Sequence, residues 1–145
     1  MKRFNTKNNP TRQHKQTARH INQTNHILKR GAFGLRSLEY VQVGIGQANS
    51  LKKILQKELK IQEKKTNLGK IKLWFYMLPN RSVTKLSPET RMGKGKGPVV
   101  SYCCYIKKGQ LLFEIANLPK IKAAELASKI KYSLSFKAQL LEKFQ

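Results

Sequence analysis

Aspartate is absent from the chain, and only seven glutamates stand against 30 lysines and arginines, leaving a formal charge of +23 over 145 residues. So few acids remove the usual material of general acid–base and two-metal phosphoryl chemistry, which needs paired carboxylates or histidines in one site. The three histidines, His14, His20 and His26, all lie in the first 30 residues, far from the two cysteines, so no zinc spacing exists. Cys103 and Cys104 are adjacent on a run that reads as a strand. Their side chains therefore point to opposite faces, which excludes a disulfide framework. No apolar run approaches the roughly 20 residues that span a bilayer, so membrane insertion is not expected. These absences argue against an enzyme and leave no cofactor to expect.

What is present is positive charge, and charge of this size speaks about partners. Each neutralised phosphate releases counterions, so a polyanion, nucleic acid first, is the expected partner. Lysine outnumbers arginine 23 to 7 and asparagine stands at nine. Both favoured residues use A-rich codons, which points to an AT-rich genome such as an organelle's own.

The length suits one domain with an extension. Residues 1–30 hold eight basic residues, no acid and few apolar ones, so they cannot bury a core. Two readings stand, a disordered tail and an arm that orders along RNA phosphates, and the charge favours the arm. The segment is basic and acid-free like a mitochondrial presequence but forms no amphipathic face. Starting at Met1, it is read as mature protein, made inside the organelle rather than imported.

From about residue 31 the composition becomes that of a folded domain. Leu38, Tyr40, Val41, Val43 and Ile45 predict a first strand, ending at Gly44–Gly46. Ser50 is read as the N-cap of a helix to about Lys65, with Leu51, Ile54, Leu55 and Leu59 as its apolar stripe. Its other face carries Lys52, Lys53, Lys57, Lys60 and Lys64. A solvated face and a phosphate-facing one both remain open.

Alternation over residues 70–78 predicts a strand, followed by a short one around Val83 and another over residues 99–106. Lys108 and Gly109 form a turn into residues 110–116, so the last two runs read as an antiparallel hairpin. A second helix is expected over residues 121–132, its apolar side formed by Ile121, Ala124, Leu126, Ala127 and Ile130, with a last strand over residues 133–136. Trp74, Tyr76, Tyr102 and Tyr105 are read as core packing in preference to base-stacking surfaces. The fold class is α+β: two helices packed on a mostly antiparallel sheet, with a basic N-terminal extension over residues 1–30 and a single domain over residues 31–145.

The most informative run is Arg91-Met92-Gly93-Lys94-Gly95-Lys96-Gly97, bracketed by Pro88 and Pro98. Alternating glycines let backbone N–H groups approach an anion while the lysines between them add charge. The spacing fits neither a Walker loop nor a dinucleotide fingerprint, since the run ends in Pro98 and a strand. A mobile surface loop is the bland reading and a phosphate-binding loop the functional one.

This run resembles the signature loop of the bacterial and organellar L-sixteen family of large-subunit ribosomal proteins. Gly31-Ala-Phe-Gly-Leu-Arg36 resembles the family's F-G-x-x-G-L-K entry, and Lys108-Gly-Gln-Leu-Leu-Phe-Glu114 its P-G-x-x-L-Y-E segment. Arg12-Gln-His14-Lys15 is similar to its basic N-terminal motif, so the resemblance spans most of the chain. The first helix departs from it, carrying lysine where the family carries arginine and an R-Q-I-E-A pattern. The resemblance implies a non-enzymatic constituent of a mitochondrial, rather than plastid, large ribosomal subunit. It further implies seating on large-subunit rRNA among neighbouring ribosomal proteins, where the chain would help place aminoacyl-site tRNA near the peptidyl transferase region. The residues it implies for rRNA or tRNA contact are Arg12, His14, Lys15, Arg36, Lys52, Lys53, Arg91, Met92, Gly93, Lys94, Gly95, Lys96 and Gly97. The rival reading is a basic RNA- or DNA-binding protein of an organelle that works outside the ribosome.

Overall fold

Two antiparallel sheets share one core. The computed structural model describes residues 21, 25–66, 69–93 and 95–143. The elements run β1 (Phe33–Ser37), β2 (Val41–Gly44), α1 (Ile45–Thr66), β3 (Lys72–Phe75), β4 (Arg81–Thr84), β5 (Val99–Ile106), β6 (Leu111–Ala116), α2 (Lys120–Ser133) and β7 (Ala138–Glu142). Strands β3-β6-β1-β7 form a four-stranded sheet and β2-β5-β4 a three-stranded one. The α+β class with two helices stands as expected.

The core is a single cluster in which Leu35 of β1, Leu55 of α1, Leu112 of β6 and Ile130 of α2 have no exposed surface. Strand β6 is buried along Leu111–Ile115, on both faces, with residues 29–31 held over Glu114 on one of them. That explains its continuous apolar run in place of alternation.

Several sequence expectations need correction. The run from Leu38 to Ile45 read as a first strand holds only β2, and a strand that was not expected, β1, precedes it, because Leu38 and Glu39 turn the chain out of the larger sheet and into the smaller one. Helix α1 starts at Ile45, so Ser50 is an interior, exposed residue and not its N-cap. The buried stripe is Ala48, Leu51, Leu55 and Leu59, and Ile54 lies at its exposed margin. The strand over residues 70–78 shrinks to β3, although the Tyr76 N–H still donates to the Leu112 carbonyl at 2.9 Å.

The expected hairpin between β5 and β6 does not form. Lys107 to Gln110 do make a turn, with Gly109 at φ 84° and the Gln110 N–H donating to Lys107 O at 3.1 Å. The turn is strapped to β1, however, by Gly109 N–H to Ser37 O (2.8 Å) and Ser37 N–H to Gln110 O (2.9 Å). The two strands consequently diverge, β5 to β2 and β4, β6 to β1 and β3.

In α2 the phase is rotated from the expected one: Ala123, Leu126, Ala127 and Ile130 are buried, whereas Ile121 and Ala124 face outward. The final strand lies at residues 138–142 and not 133–136. The helix runs on through Ser133, whose hydroxyl donates to Ile130 O at 2.8 Å, and β7 then pairs along β1 from Phe33↔Glu142 to Ser37↔Ala138. Trp74, Tyr76, Tyr102 and Tyr105 are half-buried and stand outside the core cluster. Tyr105 stacks on Tyr40 with ring centroids 6.0 Å apart, and Tyr76 is held by a carboxylate described below.

Candidate nucleic-acid interface

The glycine–lysine run lies in the loop that joins β4 to β5, adjacent antiparallel strands of the smaller sheet. The loop base is closed by the Lys85 N–H donating to Pro98 O at 3.3 Å. Away from that base the side chains turn to solvent: Arg91 is exposed and Met92 is 96% exposed. Gly93 (φ 95°) and Gly95 (φ 87°) hold left-handed backbone with open space around the position a Cβ would take. Such conformations are cheap only for glycine.

Gly97 serves a different purpose from the one its place in the run suggests. It is buried, and a Cβ there would collide with the carbonyl of Lys85. Its lack of a side chain lets the returning strand pass against the departing one, so it shapes the loop base and is not offered to a ligand. Lys96 is half-buried beside it. Lys94 lies outside the described residues, as do Arg12, His14 and Lys15.

Lys52 and Lys53 fall on the third turn of α1, which leaves β2 at Gly44. Gly44 is paired with Cys103, midway along β5, so α1 leaves the smaller sheet four residues short of Val99, where the loop ends. Lys53 is exposed and Lys52 half-buried. Arg36 stands on the other sheet, its Nε and Nη2 donating to Gln139 Oε1 at 3.2 and 2.8 Å across β1 and β7. A neutral partner leaves its charge uncompensated. The described candidate residues thus fall in three places: the loop, Lys52 and Lys53 on α1, and Arg36 on the larger sheet.

The acids are committed elsewhere. Glu142, Glu125 and Glu58 pair with Lys120, Lys122 and Lys129 at 2.7, 2.9 and 3.1 Å, and Glu63 accepts the Ile71 N–H at 2.8 Å. Glu114 is buried at 1% exposure. Five of the seven acids are thereby engaged away from the loop, which itself carries Glu89.

Glu114 is the residue that sequence reasoning missed. Its carboxylate accepts three consecutive backbone N–H groups, Lys29 at 3.3, Arg30 at 2.7 and Gly31 at 2.6 Å, together with the Tyr76 hydroxyl at 2.9 Å. Burial alone raises a carboxyl pKa, but those four donors, Gly31 foremost, outweigh it and hold Glu114 below its ordinary value. Tyr76 is pushed up by its own burial and by the bond to the carboxylate. The signal was available as a lone acid inside the apolar strand LLFEIA.

This anchor lays residues 25–31 across the larger sheet. Leu28 is buried, and the Leu111 N–H donates to Asn25 O at 2.9 Å. Residues 25–30, grouped with the extension by composition, are thus laid on the folded part. Gly31 is obligatory here, since a Cβ would sit 2.7 Å from Ile115 O.

Among the described residues there is no group of three or more His, Cys or acidic side chains able to hold a metal, and no helix is long and apolar enough to cross a membrane. Cys103 and Cys104 are both buried and free.

The family described as ribosomal protein L16p/L10e matches residues 5–141. The large ribosomal subunit protein uL16m of Chondrus crispus is 35% identical over 113 residues, 78% of this chain and 80% of the relative. The uL16 protein of Sulfurihydrogenibium sp. (strain YO3AOP1) is 34% identical over 112 residues, 77% and 75% of the two chains. That of Chlamydia felis is 30% identical over 115 residues, 79% and 78%. With a family match over nearly its whole length and relatives aligned across three quarters of both chains, this chain belongs to the ribosomal protein L16p/L10e family.

Proposed function

We propose that this protein is a structural constituent of the large subunit of a mitochondrial ribosome, where it binds large-subunit rRNA and helps position aminoacyl-site tRNA near the peptidyl transferase region. The observation that carries the reading is the exposed, glycine-bearing basic loop between β4 and β5, in a chain of the L16p/L10e family. Arg91, Lys94 and Lys96 supply its charge, Met92, Gly93 and Gly95 its exposed backbone, and Gly97 its base. Lys52 and Lys53 add basic contacts from α1. Arg36, and Arg12, His14 and Lys15 of the extension over residues 1–30, make further rRNA contacts from the domain of residues 31–145 and its arm. Neighbouring large-subunit proteins complete the environment. The work done is positional, not catalytic.

The uL16m relative and the lysine- and asparagine-rich composition support a mitochondrial place and synthesis within the organelle. Changing Lys94 and Lys96 together to Ala tests the loop. Subunits assembled with this variant are expected to bind aminoacyl-site tRNA less well, with the salt slope of RNA binding reduced by roughly 1.8 units at about 0.9 per phosphate contact. Unchanged tRNA binding and assembly overturns the loop's role. Elution from large subunits in a high-salt wash favours the alternative, a basic RNA- or DNA-binding protein working outside the ribosome.

A further inference from the structure

A cleft of about 720 Å³ opens between α1 and β3. Its helix wall is Lys52, Gln56, Leu59, Lys60 and Glu63, spaced to share one face, and its strand wall holds Trp74 and Tyr76. Arg30 and Lys70 stand at its rim. The size falls in the range of sites that enclose a small organic group, roughly 300 to 1,000 Å³.

Three features restrict what fits. Trp74 is half-buried on β3 and lines the cleft. Arg30, Lys52, Lys60 and Lys70 bring four cations to the same cleft, and the one acid in its lining, Glu63, accepts the Ile71 N–H at 2.8 Å. Tyr76 is fixed by its bond to Glu114, so the aromatic wall is preorganised. A cleft lined by aromatic side chains and four cations suits a group that is both planar and anionic at its margin, which describes a nucleotide of a single strand.

We propose that this cleft is a subsite for one unstacked RNA nucleotide, with its base laid on Trp74 and its flanking phosphates on Lys60 and Lys70. The proposal rests on the RNA-binding reading and adds a second point of contact, distinct from the glycine–lysine loop. On α1, Lys52 and Lys60 line the cleft while Lys53, Lys57 and Lys64 lie outside it.

Trp74 is the only tryptophan in the chain, so its emission reports on this cleft alone. The experiment titrates the full chain with end-labelled hexaadenylate, reading binding by anisotropy and Trp74 by fluorescence, beside inorganic polyphosphate of equal charge. Hexaadenylate is expected to bind and quench Trp74, and polyphosphate to bind without quenching. Trp74→Leu should weaken hexaadenylate binding roughly 5- to 150-fold without changing its salt slope. Lys60→Gln with Lys70→Gln should reduce the slope by roughly 1.4 units at about 0.7 per single-strand contact. That double variant keeps the test open if Trp74→Leu fails to fold. Binding with unchanged Trp74 emission, equal quenching by polyphosphate, or an unaltered slope in the double variant overturns the subsite and leaves RNA binding standing. Absence of any RNA binding overturns the RNA-binding reading itself.

Discussion

Glu114 accepts the Gly31 N–H at 2.6 Å, joining residues 83 positions apart through a carboxylate buried inside the larger sheet. Replacing it by Gln places an amide with its own N–H groups among four donors. The expected loss of stability is about 2–4 kcal/mol by denaturant unfolding, as for a buried charge-assisted network left partly unsatisfied. Glu114 is held below its ordinary value of 4.5, so its contribution is present above that value and disappears as pH falls through the lower, folded-state pKa. The gap in stability between wild type and Glu114→Gln should therefore narrow in acid. A gap independent of pH down to complete acid unfolding contradicts this.

Gly97→Ala and Gly93→Ala should behave differently although both lie in the same run. The first forces a methyl group into the Lys85 carbonyl and is expected to cost about 1–3 kcal/mol and to expose the Lys85 amide to hydrogen exchange. The second strains a left-handed residue in open space and should leave that amide's protection unchanged. Equal protection of Lys85 in both variants contradicts the account of the loop base.

Leu55→Asp should destabilise the fold by about 3–5 kcal/mol, since it buries an unpaired charge at a position with no exposure. Lys57→Asp, at an exposed position, should stay within about 0.5 kcal/mol. Comparable losses in thermal unfolding would show that the helix phase is wrong.

Burial pushes the Cys104 thiol up to about 11, with the neighbouring Cys103 adding to the rise, and burial raises Cys103 as well. Neither thiol should then react appreciably with iodoacetamide at pH 8 in the native protein, and both should after unfolding. Rapid alkylation of either in the folded chain contradicts their placement.

The α+β class and the positions of β4 and β5 were legible because each depends on local pattern. The separation of β5 from β6 was not, because Lys108-Gly109 makes a sound turn whichever sheet its strands join; the decision lies with Ser37, far away in sequence. The start of α1 was hidden by Gly44 and Gly46, which read as a strand ending although Ala48 already continues the helical stripe. The phase of α2 slipped because Ala123 and Ala124 are chemically alike. At the candidate interface, the exposed glycines were readable from spacing, whereas the roles of Gly97 and Glu114 depend on backbone brought close from elsewhere.

Strand β1 sits between β6 and β7, and the chain passes from one sheet to the other four times on its way along the sequence. For a protein made from its N-terminus, the consequence concerns timing. The basic leading segment emerges first, while β1 has no partner until residues 111–116 and 138–142 exist. Neither sheet can be completed by the first half of the chain, and pairings this distant fold slowly. The charge of that segment is thus made before either sheet can be complete.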